Sequence, residues 1–180
     1  MIIKVLGNLD NKAISSSVNK AKKLIKIPNK LTINFLDSLN SCYSIKLPRN
    51  IQDKFKVACS HKISFSFNFK GRKIIVVYVD KNLVQKQDSL IGLLLHEINH
   101  INQMDKGTYR KIYSSYNKVY DRNFKLFNSL KYDKDKIKTL FHDISTIVIL
   151  TLKDIYTNND LINKKLTNYL LSYYKLEFNR

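Results

Sequence analysis

Leu94-Leu95-His96-Glu97-Ile98-Asn99-His100 places two imidazoles four residues apart, with a glutamate directly after the first. An α-helix turns once every 3.6 residues, so side chains at i and i+4 lie one above the other on a single face. On a helix His96 and His100 can therefore grip one cation, and neutral imidazole suits a zinc-like ion. A third protein ligand would leave a fourth position open to water. Glu97 sits about 100° round the helix from His96, where a carboxylate takes the proton of that water without being a ligand. Ile91, Leu94, Ile98 and Ile101 fall on the opposite side and predict a helix packed on a sheet. The competing reading of the same residues is an amphipathic helix with two hydrogen-bonded histidines.

Composition weighs on that choice. The chain has four histidines, and its only glutamates are Glu97 and Glu177, so the motif draws on residues the chain hardly uses. Its 180 residues, 44% of them hydrophobic, suffice for one domain with a real core. Residues 1–107 read as a half of helix, sheet and motif helix, and 108–180 as a helical half. No run of 18 apolar residues occurs, and Met1 to Leu6 is too short and too quickly polar for a signal peptide, which predicts a soluble cytoplasmic protein outside any membrane. Cys42 and Cys59 lack metal-like spacing and read as reduced thiols. The net charge of +18 owes something to the lysine, asparagine, isoleucine and tyrosine of an A+T-rich coding sequence. Glutamate, whose codons are equally A-rich, is nearly absent, so the imbalance exceeds codon bias. A field of this sign attracts nucleic acid or an acidic protein partner at moderate salt; the alternative is a solvated surface that keeps the chain soluble.

Working outward from the motif, Asp88 or Ser89 is the expected N-cap and Gly107 the stop of its helix. Upstream, Ile63 to Phe69 alternates strictly and Ile74 to Val79 is continuously apolar, with Lys70-Gly71 near the turn. This predicts a hairpin whose second arm lies inside the sheet. A strand is expected from about Lys30, a further short one over Cys42 to Leu47, and a helix capped by Asp10 or Asn11 with Ile14, Val18, Ala21 and Ile25 on its inner face. Downstream, Tyr109, Tyr113, Tyr116, Tyr120, Phe124 and Phe127 recur at spacings of three and four, which reads as a core stripe; the basic residues between them leave a base-stacking surface as the alternative. After a polar break over 131–138, another helix is expected, and Asn159 or Asp160 is the expected cap of the last one.

The candidates for a third ligand lie in this helical half. Thr146 to Leu152 is apolar nearly all round and predicts a buried helix. A carboxylate beside such a run is costly unless paired or bound to a metal, so Asp154 is the leading candidate. The alternative is that Asp154 pairs with a lysine or caps the following turn. Asp143, about three turns earlier on the same face, and His142 are the rivals; Asp143 could also orient a histidine from behind.

His96-Glu97-Ile98-Asn99-His100 resembles the signature of the zincin metallopeptidases. Asp154-Ile155-Tyr156-Thr157-Asn158 is similar to the Asp-x-x-x-Asn segment of the metallopeptidase domains found beside von Willebrand A-type proteins in bacteria and archaea. The resemblance implies an α+β, zincin-like fold: a small mixed β-sheet, an N-terminal backing helix, the motif helix packed on the sheet and a helical C-terminal half. It also implies one Zn2+ on His96, His100 and Asp154, Glu97 as general base, and a peptide or protein substrate. Lys106 stands where metzincins carry a third histidine. Tyr156 or another tyrosine is a candidate donor to the carbonyl oxygen. Two other classes remain: a basic nucleic-acid-binding module on the same fold, and a metal-dependent hydrolase of non-peptide substrates.

Overall fold

The structure is a computed structural model that describes residues 1–53, 64–79, 83, 86–128 and 134–178. β1 (Ile2–Leu6), α1 (Asn11–Leu24) and β2 (Leu31–Leu36) make a parallel β-α-β unit in which Ile3 lies opposite Ile33. β3 (Ser64–Phe69) and β4 (Arg72–Tyr78) form the expected hairpin, and β4 also pairs in parallel with β2. The sheet order is β1-β2-β4-β3, which puts the continuously apolar arm inside and the alternating arm at the edge. Among the described residues there follow α2 (Gln87–Asp105), which carries the motif, α3 (Thr108–Asn128), α4 (Lys134–Asn163) and α5 (Thr167–Phe178). The chain is thus α+β with a small four-stranded mixed sheet. Ile63 and Cys59 lie outside the described residues.

Alternation along the strands divides the core between the two faces of the sheet. Leu31, Ile33 and Phe35 of β2 with Ile75 and Val77 of β4 pack against Ile14, Val18 and Ala21 of α1 and against α2. Leu36, Ile74 and Val76 point the other way, toward Cys42, Ile45 and the three phenylalanines of β3. α1 therefore packs on the sheet on the face that it shares with α2. Its start is as read: the Asp10 carboxylate accepts from the backbone N–H groups of Lys12 and Ala13 at 2.9 and 3.0 Å, a cap worth about 1 kcal/mol.

Three expected elements differ. Cys42 to Leu47 is no strand; Leu39–Ser44 is a 3-10 helix. Short polar side chains compete there for the backbone: Asp37 accepts from Asn8 N and Ser41 Oγ, each at 2.8 Å, and Gln52 donates to the Ile45 carbonyl at 2.6 Å. Ser89 does not cap α2, which begins at Gln87. Its hydroxyl donates instead to the Ser172 carbonyl, 2.9 Å away on α5. The last helix does not begin at Asn159 or Asp160, because α4 runs through both. It closes at Lys165, whose φ is +59°, with Leu166 N–H on the Leu161 carbonyl at 3.0 Å and Lys165 N–H on that of Ile162 at 2.9 Å. This is the paired hydrogen-bond closure that usually uses glycine, with Leu161 and Leu166 meeting in the core.

The apolar run of α4 is also not buried as expected: Ile147 is 64% exposed, and Val148 and Leu150 are exposed too. That part of α4 packs on α3, so only one side of it is covered. The aromatic stripe of α3 is accordingly mixed. Tyr109 is buried, Tyr113 is exposed, and Tyr116, Tyr120 and Phe124 are half-buried; the Phe127 side chain lies outside the described residues. Among the described residues, no helix is long and apolar enough to cross a membrane.

α2 is the hub, packed by α1, α3, α4, α5 and the sheet. Its closest crossing is with α5 at Gly92, where a Cβ would run into the Tyr169 carbonyl and meet Tyr173 Cβ at 3.0 Å. Gly92→Val is expected to lose about 3 kcal/mol by overpacking two backbones, seen as a lower urea midpoint at unchanged slope. Lys165→Gly, which removes a side chain from a left-handed residue, is expected to add about 1 kcal/mol in the same titration.

Candidate metal centre

α2 brings both imidazoles to one point, as the four-residue spacing dictates. His96 Nε2 and His100 Nε2 lie 2.9 Å apart. The third group arrives from α4: Asp154 Oδ1 is 3.1 Å from His100 Nε2 and 3.8 Å from His96 Nε2. Three donors bound tetrahedrally at ~2.05 Å from one ion stand about 3.3 Å apart, a value the three observed edges bracket. His96, His100 and Asp154 thus form a group that can hold a metal ion. His96 is 5% exposed and the Asp154 side chain 52%, so the site is walled on the histidine side and open on the carboxylate side.

The far nitrogens are held from behind. His96 Nδ1 meets Asn158 Oδ1 at 3.0 Å, and the Asn158 amide donates to Tyr174 OH at 2.8 Å. His100 Nδ1 contacts Thr157 Oγ1 at 3.1 Å and the Tyr109 hydroxyl. A proton on each Nδ1, donated to these oxygens, turns the Nε2 lone pairs toward the common point. Burial, followed by the adjacent charge of His100, pushes the His96 imidazole below the usual histidine range, which favours the neutral form a metal needs. Burial also pushes the Tyr109 hydroxyl upward, so it stays protonated beside His100.

Glu97 points into the same cleft and is 5% exposed. Ser64 Oγ, on edge strand β3, donates to Glu97 Oε1 at 2.7 Å. On the polar side of β3, Ser64 and Ser66 line the cleft together with Tyr109, Lys153, Tyr173 and Tyr174. This cavity measures about 200 Å3. A strict alternation of serine and phenylalanine cannot distinguish solvent from an active-site cleft, so Ser64 carried no signal of its own.

The rivals of Asp154 lie elsewhere. His142 and Asp143 are exposed, about 18 and 16 Å from Asp154 along α4 at 1.5 Å per residue, and His142 lines a different cavity. Asp154 keeps its place for a reason other than burial, since its carboxylate is half-exposed: residues 154, 157 and 158 share one turn of α4 that faces α2. Tyr156, half-exposed, is not among the residues lining the cleft. Tyr109, Tyr173 and Tyr174 take the aromatic positions there. Comparison of the chain with protein-family models, with curated proteins and with solved structures finds no match.

Proposed function

We propose that the chain is a zinc metallopeptidase with Glu97 as its general base. The observation that carries this reading is the placement of Glu97: a buried carboxylate, oriented by Ser64 at 2.7 Å, in the cleft that holds the three-donor group. A helix that merely packed its histidines would have no use for an additional buried carboxylate, whose desolvation is costly.

His96, His100 and Asp154 would hold the ion, and two nitrogens with one carboxylate oxygen are donors suited to zinc. When bound, the ion supplies Lewis acidity, which acidifies water and polarises a carbonyl. Glu97 accepts the proton of the attacking water as the new C–O bond forms. It then delivers that proton to the amine as the C–N bond breaks, which leaves Glu97 ready for a further cycle. Ser64 keeps the accepting oxygen directed during both transfers. Asn158 and Thr157 keep the imidazoles in the tautomer with Nε2 free.

Peptide is favoured over other hydrolysable substrates by the edge of the sheet. Among the described residues β3 has β4 as its one sheet neighbour, and Ser64, Phe65 and Ser66 border the cleft. An extended chain can add to such an edge through main-chain hydrogen bonds. β4, by contrast, is interior to the sheet and both its edges are paired. The basic surface attracts an acidic partner or nucleic acid without needing the cleft.

Glu97→Gln is expected to lower cleavage of a denatured protein mixture by about 10²–10⁴-fold while zinc content stays at one ion per chain. Unchanged cleavage in a zinc-loaded variant would sink the proposal. Zinc at about a hundred times its dissociation constant is expected to stabilise the chain by ~2.7 kcal/mol, read as a raised melting temperature. His100→Ala and Asp154→Ala are expected to lose that shift, whereas His142→Ala keeps it.

A further inference from the structure

The arm formed by α3 and α4 carries a second cavity. About 310 Å3 of space lies between the two helices, walled by Tyr113, Tyr116 and Tyr120 of α3 and by His142, Ile149 and Leu150 of α4. Leu150 also lines the cleft of the metal group, so the two spaces meet at this residue. Lys153, part of the cleft wall, spans the junction: its Nζ donates to Tyr113 OH at 2.7 Å and lies 5.1 and 4.7 Å from the ring centres of Tyr109 and Tyr113. α4 is therefore common to both spaces, with Asp154 at one end and His142 at the other.

The lining indicates the kind of occupant. α3 is rich in cations, including Arg110, Lys111, Lys118 and Arg122, yet none of the described residues lining this space is a lysine or arginine. A nucleic-acid strand needs cations along its phosphates as well as rings to stack on. Aromatic and aliphatic walls edged by hydroxyls instead suit one large apolar side chain. Ser145 and Ile149 lie ~14 and ~8 Å from Asp154 along the helix at 1.5 Å per residue. An extended peptide advances ~3.3 Å per residue, so a chain held at Asp154 reaches the middle of the groove about three residues away.

We propose that this groove is a substrate subsite continuous with the cleft, taking an aromatic or large aliphatic side chain about three residues from the bond to be cut. The proposal rests on the peptidase reading and adds a specificity to it. It also gives the half-exposed tyrosines of α3 a function that core packing does not.

The test uses peptide hydroxamates, whose zinc-chelating end fixes the register, on the zinc-loaded Glu97→Gln full chain. The peptides are alanine-based, carry the hydroxamate at either end, and place a single phenylalanine one to five residues from it. Affinity is expected to peak with phenylalanine near the third position, about tenfold or more above the all-alanine peptide, as burial of one aromatic ring predicts. Thr146→Trp, an exposed substitution at the rim, should remove the peak and leave acetohydroxamate binding unchanged; Tyr120→Ala, which widens the groove, should flatten it. Affinity independent of phenylalanine position, a peak that survives Thr146→Trp, or displacement of the peptide's ring by a single-stranded oligonucleotide overturns the subsite. If the chain takes up zinc but no hydroxamate binds it, the peptidase reading and the subsite fall together. A peak in binding without cleavage by the wild type overturns the peptidase reading alone.

Discussion

Asn99 lies between the two histidines on α2 and is fully buried. Its side-chain amide donates to the backbone carbonyl of Thr157 on α4 at 2.9 Å, with no solvent to compete. A helical carbonyl has a second lone pair to give, and a bond to it senses the position of the backbone itself. This contact therefore sets both the depth and the rotation at which α4 crosses α2. The rest of the metal group follows: Asp154, Thr157 and Asn158 occupy i, i+3 and i+4, and so share one face of α4. One turn of α2 supplies two imidazoles and a buried carboxylate. One turn of α4 supplies Asp154 and two of the three oxygens that hold the imidazoles, the third being the Tyr109 hydroxyl of α3.

Only half of that arrangement can be read from the residue order. The spacing of His96 and His100 is local, and helix geometry alone makes them converge. The approach of Asp154 is a tertiary fact, and the apparent clue to it, an apolar helix needing burial, misdescribes the chain. Ile147 and Val148 remain exposed because α4 is longer than the body it packs on and extends along α3. Periodicity reports which sides of a helix are apolar; it does not report how many sides a neighbour will cover. Ser64 was illegible for a related reason. The alternation of β3 correctly separates its two faces, but the polar face looks into the cleft, and nothing local says which helix lies above it.

Helix ends follow the same rule. Asp10 is recognisable as a cap because its carboxylate bonds within three residues. The end of α4 is unrecognisable because Lys165 adopts a conformation for which the code has glycine, and what holds it there is the contact of Leu161 with Leu166 in the shared core. That turn matters to the site. It sends α5 back along α2, which brings Tyr173 within 5.5 Å of the His96 ring, centre to centre, and Tyr174 within reach of Asn158. The histidines are thus enclosed by a helix whose start the polar residues at 159 and 160 misplace.

The charge of the chain acts against its own metal group. A net +18 repels a divalent cation, so binding has to come from groups closer than the ~8 Å over which physiological salt screens the remainder. Among the described residues that line the cleft, Asp154 and Glu97 are the two carboxylates, and they differ in setting. Glu97 is buried and held by one hydroxyl, which keeps it aimed. Asp154 is half-exposed, so its carboxylate keeps part of its hydration and avoids the desolvation cost that a fully buried aspartate would carry. Lys153 at the cleft wall adds to the same positive field, and the two carboxylates set at one crossing of two helices oppose it there.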